Sequence, residues 1–191
     1  MGSEQRIVDT RAEPEPRPLT VRDFLTLDEA GAFEGLGHVE LVEGEVFVVA
    51  PLYFPHGRIQ TELTVAVTLA ARAVGLQALT PVSTRLDEHN LPEPDIQVVE
   101  GTSETFVTLA MTRIVIEVSA SSIGHDLGRK KRLYARTGVP EYWVVDVHRR
   151  VIIRFHAPVG VDYANRSEFG FGDPVPSATI PDLVVDTTLL A

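Results

Sequence analysis

Apolar positions along the chain recur at two periods, and the change from one to the other marks the elements. Between His56 and Gly75, the residues Ile59, Leu63, Ala66, Val67 and Ala70 share one stripe, which predicts a helix with Gly75 just past its end. Thr20 followed by Asp23 has the offset of a capping box and predicts an earlier helix over Val21–Ala30. Branched apolar runs predict strands. "HVELVEGEVFVV" reads as two short strands around a Glu43-Gly44 turn, and further strands follow from about Ala78 to Leu86, at "IQVVE" and at "RIVIEVS". The segments Asp87–Pro94 and Gly101–Met111 read as loops. A helix is expected from about Asp126 to Thr137, closed by Gly138 and Pro140, followed by the buried strand "EYWVVDV" and, after a tight turn, "VIIRFHA". From Ala157 onward the chain is rich in Gly and Pro, and only Leu183–Val185 suggests a late strand. Strands alternate with helices only in the middle, with hairpins on either side. The expected fold class is therefore α/β (α+β), a mixed central β-sheet flanked by helices.

Composition narrows the function. A chain of 191 residues with 44% hydrophobic residues can bury a core of its own, so a single domain over residues 19–191 is expected after a disordered tail, residues 1–18, of charges and prolines. No apolar run approaches the roughly 20 residues of a membrane-spanning helix, and the N-terminus lacks the apolar segment of a secretory signal. The absence of cysteine removes disulfides, thiolate metal sites and cysteine nucleophiles, and favours a cytoplasmic location. A formal net charge of -10 argues against a constitutive nucleic-acid binder, while leaving room for a nuclease with a local basic groove. Of the 17 basic residues only Lys130 and Lys131 are lysines, and both follow closely on the one acid that interrupts an apolar strand.

That acid is Glu117, in Ile114-Val115-Ile116-Glu117-Val118, a run that reads as a central strand buried on both faces. A carboxylate there either reaches solvent at the strand end, pairs with an arginine, or belongs to a site. Asp95 opens the strand "IQVVE" after Pro94, which forces an extended approach; in isolation it reads as a strand-start aspartate. Taken together, Asp95 and Glu117 suit two adjacent strands joined by a loop, and two carboxylates with waters suit Mg²⁺ or Mn²⁺. On a helical wheel centred on Lys130, Asp126, Leu127, Leu133, Tyr134 and Thr137 lie within about 60°, whereas Arg129, Lys131, Arg132 and Arg136 lie at the sides or back. Lys130 thus points along the apolar stripe, where it snorkels, pairs with an acid such as Asp126 at i,i+4, or serves the site near Glu117. A metal, two carboxylates and a lysine form a coherent phosphodiesterase site, with the outward arginines free to hold flanking phosphates. Ser119 and Ser121 are placed to hydrogen-bond within such a pocket, and Tyr134 and Trp143 read as core. The histidines show no paired metal spacing, so zinc is not expected, and "GTSET" lacks the lysine of a phosphate-binding loop.

The segments "HVELVEGEV", "PEPDIQVVE", "RIVIEVSASS" and "HDLGRKKRLYARTGVPEYWVVD" together resemble the restriction endonuclease-like family of the PD-(D/E)XK nuclease superfamily, over about Leu19 to Phe155. The resemblance implies a restriction endonuclease-like mixed sheet with a divalent-metal nuclease site at one end, acting on nucleic acid, DNA by preference. Pro94-Asp95 matches the proline-aspartate of the superfamily motif, and Glu117 matches its second acid. The superfamily lysine normally stands two residues after that acid, where this chain has Ser119; the family resemblance moves it to the next helix, at Lys130. Within the same resemblance Glu40 is an added metal ligand, a contact of the lysine, or an exposed hairpin acid. His56 matches a family histidine that binds a phosphate or caps its helix. A homodimer fits an enzyme cutting two strands. The competing expectation is an inactive interaction module that kept the fold, motivated by the net charge and the displaced lysine.

Overall fold

The structure, a computed structural model, describes residues 17–49 and 53–191. The tail expected over residues 1–18 lies outside the described residues apart from Arg17 and Pro18. Helix α1 (Val21–Glu29) precedes the hairpin β1 (Val39–Val42) and β2 (Glu45–Val48) and the long helix α2 (Phe54–Ala73). Strands β3 (Gln77–Leu79), β4 (Thr84–Arg85), β5 (Ile96–Val99), β6 (Val107–Thr108) and β7 (Thr112–Ser119) follow. A continuous helical segment comes next, made of α3 (Ile123–His125), a π-helical turn (Asp126–Lys130) and α4 (Lys131–Thr137). The chain ends with β8 (Glu141–Asp146), β9 (Val151–Val159), β10 (Asp162–Gly170), β11 (Val175–Pro176), β12 (Val184–Val185) and a short 3₁₀ turn.

Six strands form the central sheet in the order β10-β9-β8-β7-β5-β3. Only β7 and β8 run parallel, and the helical segment between them supplies the crossover that a parallel pair requires. The sheet is therefore mixed, as the pattern of hairpins around a helical middle implies. On one face α2 lays Ile59, Leu63, Val67 and Ala71 against Ile96, Val98, Ile116 and Trp143. On the other, Leu133 and Tyr134 pack on Val115, Tyr142, Val144 and Phe155. Each large side chain so buried contributes about 1.5–3 kcal/mol. The capping box of α1 forms as its spacing predicts, Thr20 and Asp23 exchanging side-chain and backbone hydrogen bonds.

The structure departs from the sequence pattern in five places. The single strand expected over Ala78–Leu86 is two, β3 and β4, because Pro81 cannot donate to a ladder and the chain bends away. Residues 101–111 are not wholly loop: β6 pairs in parallel with β4 in a small separate sheet. The segment after Ala157 contains a nine-residue strand, β10, at the sheet edge, reached from β9 by a Gly160-Val161 turn with Gly160 at φ +60°. Its side chains are largely exposed, Tyr163 excepted, so an edge strand left little hydrophobic alternation to read. Finally, α2 starts at Phe54 with Pro55 in its first turn, and the crossover helix starts at Ile123, three residues before Asp126.

Candidate functional site

Strand alternation places Glu117. Ile114, Ile116 and Val118 face α2, so Val115 and Glu117 face the α4 side. The β5–β7 register pairs Ile96 with Ile116 in antiparallel fashion, so Asp95, one residue beyond β5, stands opposite Glu117 on the same side. Asp95 Oδ2 accepts the Val118 amide at 2.7 Å, and Gln60 of α2 holds the Asp95 carbonyl at 3.2 Å. Both acids thus sit at one end of the sheet, held by backbone pairing.

Lys130 arrives from the last residue of the π-helical turn and is 7% exposed. Its ammonium donates to Glu117 Oε1 at 3.0 Å and lies 3.2 Å from Glu40 Oε2. Glu40 is correspondingly 5% exposed, not an exposed hairpin acid, and its Oε1 also takes the Glu93 amide at 3.0 Å. The hairpin carrying Glu40 is fixed against the helical segment by Arg129, which pairs with Glu43 and Glu45 at 2.6 Å each, and by Arg136 on Glu43. Gly44 closes the hairpin turn at φ +74°, and a Cβ there would come 2.3 Å from Pro18 Cβ.

Two sequence expectations change here. Asp126 does not pair with Lys130: it accepts Ser119 Oγ at 2.6 Å and Ser122 Oγ at 2.5 Å, while Lys130 turns to Glu117 and Glu40. The π-helical turn between them alters the spacing that brings i and i+4 together on an α-helix. His56 does not cap α2; it is buried with Nε2 3.4 Å from Asp95 Oδ2, and its Nδ1 has no partner among the described residues. Of the outward basic residues, Arg129 and Arg136 serve the hairpin and Lys131 pairs with Asp162, which leaves Arg132 exposed and without an ion pair among the described residues. Ser121 is exposed at the rim of the same groove.

Tyr134 reads as core, on the stripe it shares with Lys130. It is fully buried, yet its hydroxyl donates to Glu117 Oε1 at 2.7 Å; its place one turn beyond Lys130 on the same face was the available signal. Glu93, beside Pro94, also reaches the groove and pairs with His38 at 2.5 Å.

Burial pushes the Glu117 carboxyl well up; Lys130 is the largest influence opposing that rise, and the Asp95, Asp126 and Glu40 carboxylates add to it. Burial opposes the charge on Lys130, but Glu117, Glu40 and Asp126 overcome that and hold it above the usual lysine range, so it remains an ammonium. Burial also raises Glu93, with Glu40 adding to it and His38 opposing. Glu117 Oε2 receives no donor from the described residues, while Oε1 has two. Among the described residues no three acid or imidazole groups converge as a ready-made cage. The donor set instead fits a cation held by Asp95 and Glu117 with water completing its shell, as Mg²⁺ and Mn²⁺ accept.

A mixed sheet that gathers two acids at one end, with a lysine brought in by the crossover helix, defines a restriction endonuclease-like protein. The chain belongs to the Uma2 family, described as "Putative restriction endonuclease", which it matches over residues 21–188. A crystal structure of a "putative nuclease belonging to DUF820" from Anabaena variabilis is similar in fold, with a TM-score of 0.67 and 18% identity over 91% of this chain and 97% of that one. A DrdV–DNA complex covers 60% of this chain and 12% of its own, with 17% identity and a TM-score of 0.36. No curated protein matches the chain.

Proposed function

We propose that the protein is a divalent-metal-dependent endonuclease that hydrolyses phosphodiester bonds in nucleic acid, with DNA the favoured form. The observation that carries the reading is the ammonium of Lys130 seated 3.0 Å from Glu117, across the strand pair from Asp95, in an open groove. Asp95 and Glu117 would hold the metal. Bound Mg²⁺ or Mn²⁺ supplies Lewis acidity at the scissile phosphate and acidifies a water. The Val118 amide and His56 orient Asp95, and the Tyr134 hydroxyl orients Glu117. Burial, and next the Glu117 carboxylate, keep Tyr134 protonated, so it acts as a donor throughout. Lys130 stays cationic and therefore does not take a proton from water. It donates to an oxygen and offsets negative charge as that develops on the phosphate. Glu40 holds the lysine in place from the other side.

The competing reading is an interaction module without catalysis, favoured by the net charge of -10 and by the pairing of Arg129 and Arg136 with hairpin acids. Incubation with single- and double-stranded nucleic acids in Mn²⁺ or EDTA separates the two. The nuclease reading expects Mn²⁺-dependent cleavage that Glu117→Gln and Lys130→Met each abolish. Equal activity in all three proteins contradicts it, and no cleavage of any substrate favours the module.

A further inference from the structure

The groove over Glu117 encloses about 700 Å³, and its wall is unlike a phosphate channel. Lys130 is the only lysine or arginine among the described residues lining it, and that ammonium is already held between Glu117 and Glu40. A duplex hides its bases in the stack and is gripped through its phosphates by several lysines and arginines. The lip offers rings and apolar surface instead. Tyr53 lines the groove and is 71% exposed, and Phe54, beside it at the start of α2, is 83% exposed. Leu36, Phe47 and Val48 continue the apolar wall, and the His38 and His125 rings lie among them. An apolar, aromatic rim around an acidic centre matches a ligand that offers flat faces at its sides and one phosphate to the metal. Unpaired nucleotides do so, because base stacking on aromatic rings tolerates any sequence.

We propose that this site takes single-stranded or locally unpaired nucleic acid, its bases stacking on Tyr53 and Phe54 while one phosphate enters beside Asp95 and Glu117. The proposal rests on the nuclease reading for the position of that phosphate. Binding is then sequence-tolerant and weakly dependent on salt, since few phosphates are neutralised by fixed cations.

The test is fluorescence anisotropy on the full chain, using a short labelled mixed-sequence oligonucleotide and its duplex, with Ca²⁺ as the only divalent ion. The single strand should bind at least about tenfold more tightly than the duplex, and Tyr53→Ala combined with Phe54→Ala should weaken it about tenfold or more. Tyr53→Phe should retain binding, because it keeps the ring. Leu69→Ala, exposed on α2 and outside the groove, should also leave binding unchanged. Duplex binding equal to or tighter than the single strand overturns the proposal, as does binding indifferent to both alanines. So does a dimer that dissociates in the double variant with single-strand affinity unaltered, which would make the rim a contact between two copies. The readout is binding, so it separates from catalysis: tight, ring-dependent single-strand binding without cleavage in Mn²⁺ supports the surface and sinks the nuclease reading alone.

Discussion

Two glutamates are buried on the adjacent parallel strands, Glu117 on β7 at 3% exposure and Glu141 on β8 at 0%. Their surroundings differ in kind. Glu141 Oε2 accepts from Ser177 Oγ at 2.7 Å, Thr179 Oγ1 at 2.8 Å and the amides of Ala178 and Thr179 at 3.0 Å each, while Oε1 takes the Trp143 indole at 2.7 Å. Every one of these donors is neutral, both oxygens are used, and the result ties residues 177–179 to the start of β8. Among the described residues Glu117 has its donors on one oxygen only, shares its neighbourhood with other acids, and opens onto a groove. Burial alone therefore does not mark a functional carboxylate. An acceptor left open beside other acids and facing a groove is what makes Glu117, and not Glu141, the proposed metal ligand.

Substituting each glutamate by glutamine separates the two most sharply. Glu117→Gln should lower metal-dependent cleavage by about 10³-fold or more, with melting temperature unchanged or raised, because it removes a desolvated acid while Lys130 keeps Glu40. Glu141→Gln should do the reverse and destabilise by on the order of 3 kcal/mol in urea titrations, since an amide NH₂ would face donors that need an acceptor. If both variants lost stability equally, the distinction between the two sites would fail. Lys130→Met comes next. Leaving Glu117 and Glu40 without their ammonium should cost about 3–5 kcal/mol at neutral pH, read by the same titrations, and a cost near zero would mean that the acids are compensated otherwise.

The order in which these features became visible has physical causes. Glu117 and Lys130 were legible because each breaks a hydrophobic pattern that strand or helix periodicity sets, and Asp95 because it opens a strand suited to lie beside that of Glu117; the structure brings all three to one end of the sheet. The hairpin turn at Glu43-Gly44 and the Thr20 cap were legible because their signals are local. Glu141 was not, since its partners lie in residues 177–179, far along the chain, and no spacing announces them. The Asp95 contact of His56 was hidden for the same reason, and β10 lacked alternation because a largely exposed edge strand does not need it. The π-helical turn leaves no simple mark in composition, yet it decides that Asp126 answers Ser119 and Ser122 and not Lys130.

Smaller effects refine the contrast. The pKa of Glu117 in the folded state lies above its unfolded value, so its favourable contribution is complete below an unfolded carboxylate pKa of about 4.3 and is lost as pH rises through the folded value. Metal-free wild type should therefore lose stability relative to Glu117→Gln above about pH 4.3 in a melting series, and a constant difference at all pH values would contradict the assignment. Tyr134→Phe removes one hydrogen bond to Glu117 and should destabilise by about 1 kcal/mol with a few-fold loss of cleavage; an unaltered rate would show that this hydroxyl orients nothing that matters.

The most direct measurement is a calorimetric titration of Mn²⁺ into the metal-free protein and into Asp95→Asn and Glu117→Gln. The account predicts saturable binding at the carboxylate pair in wild type, lost in both variants while their folds persist by circular dichroism. No binding to wild type, or undiminished binding to the variants, would contradict it.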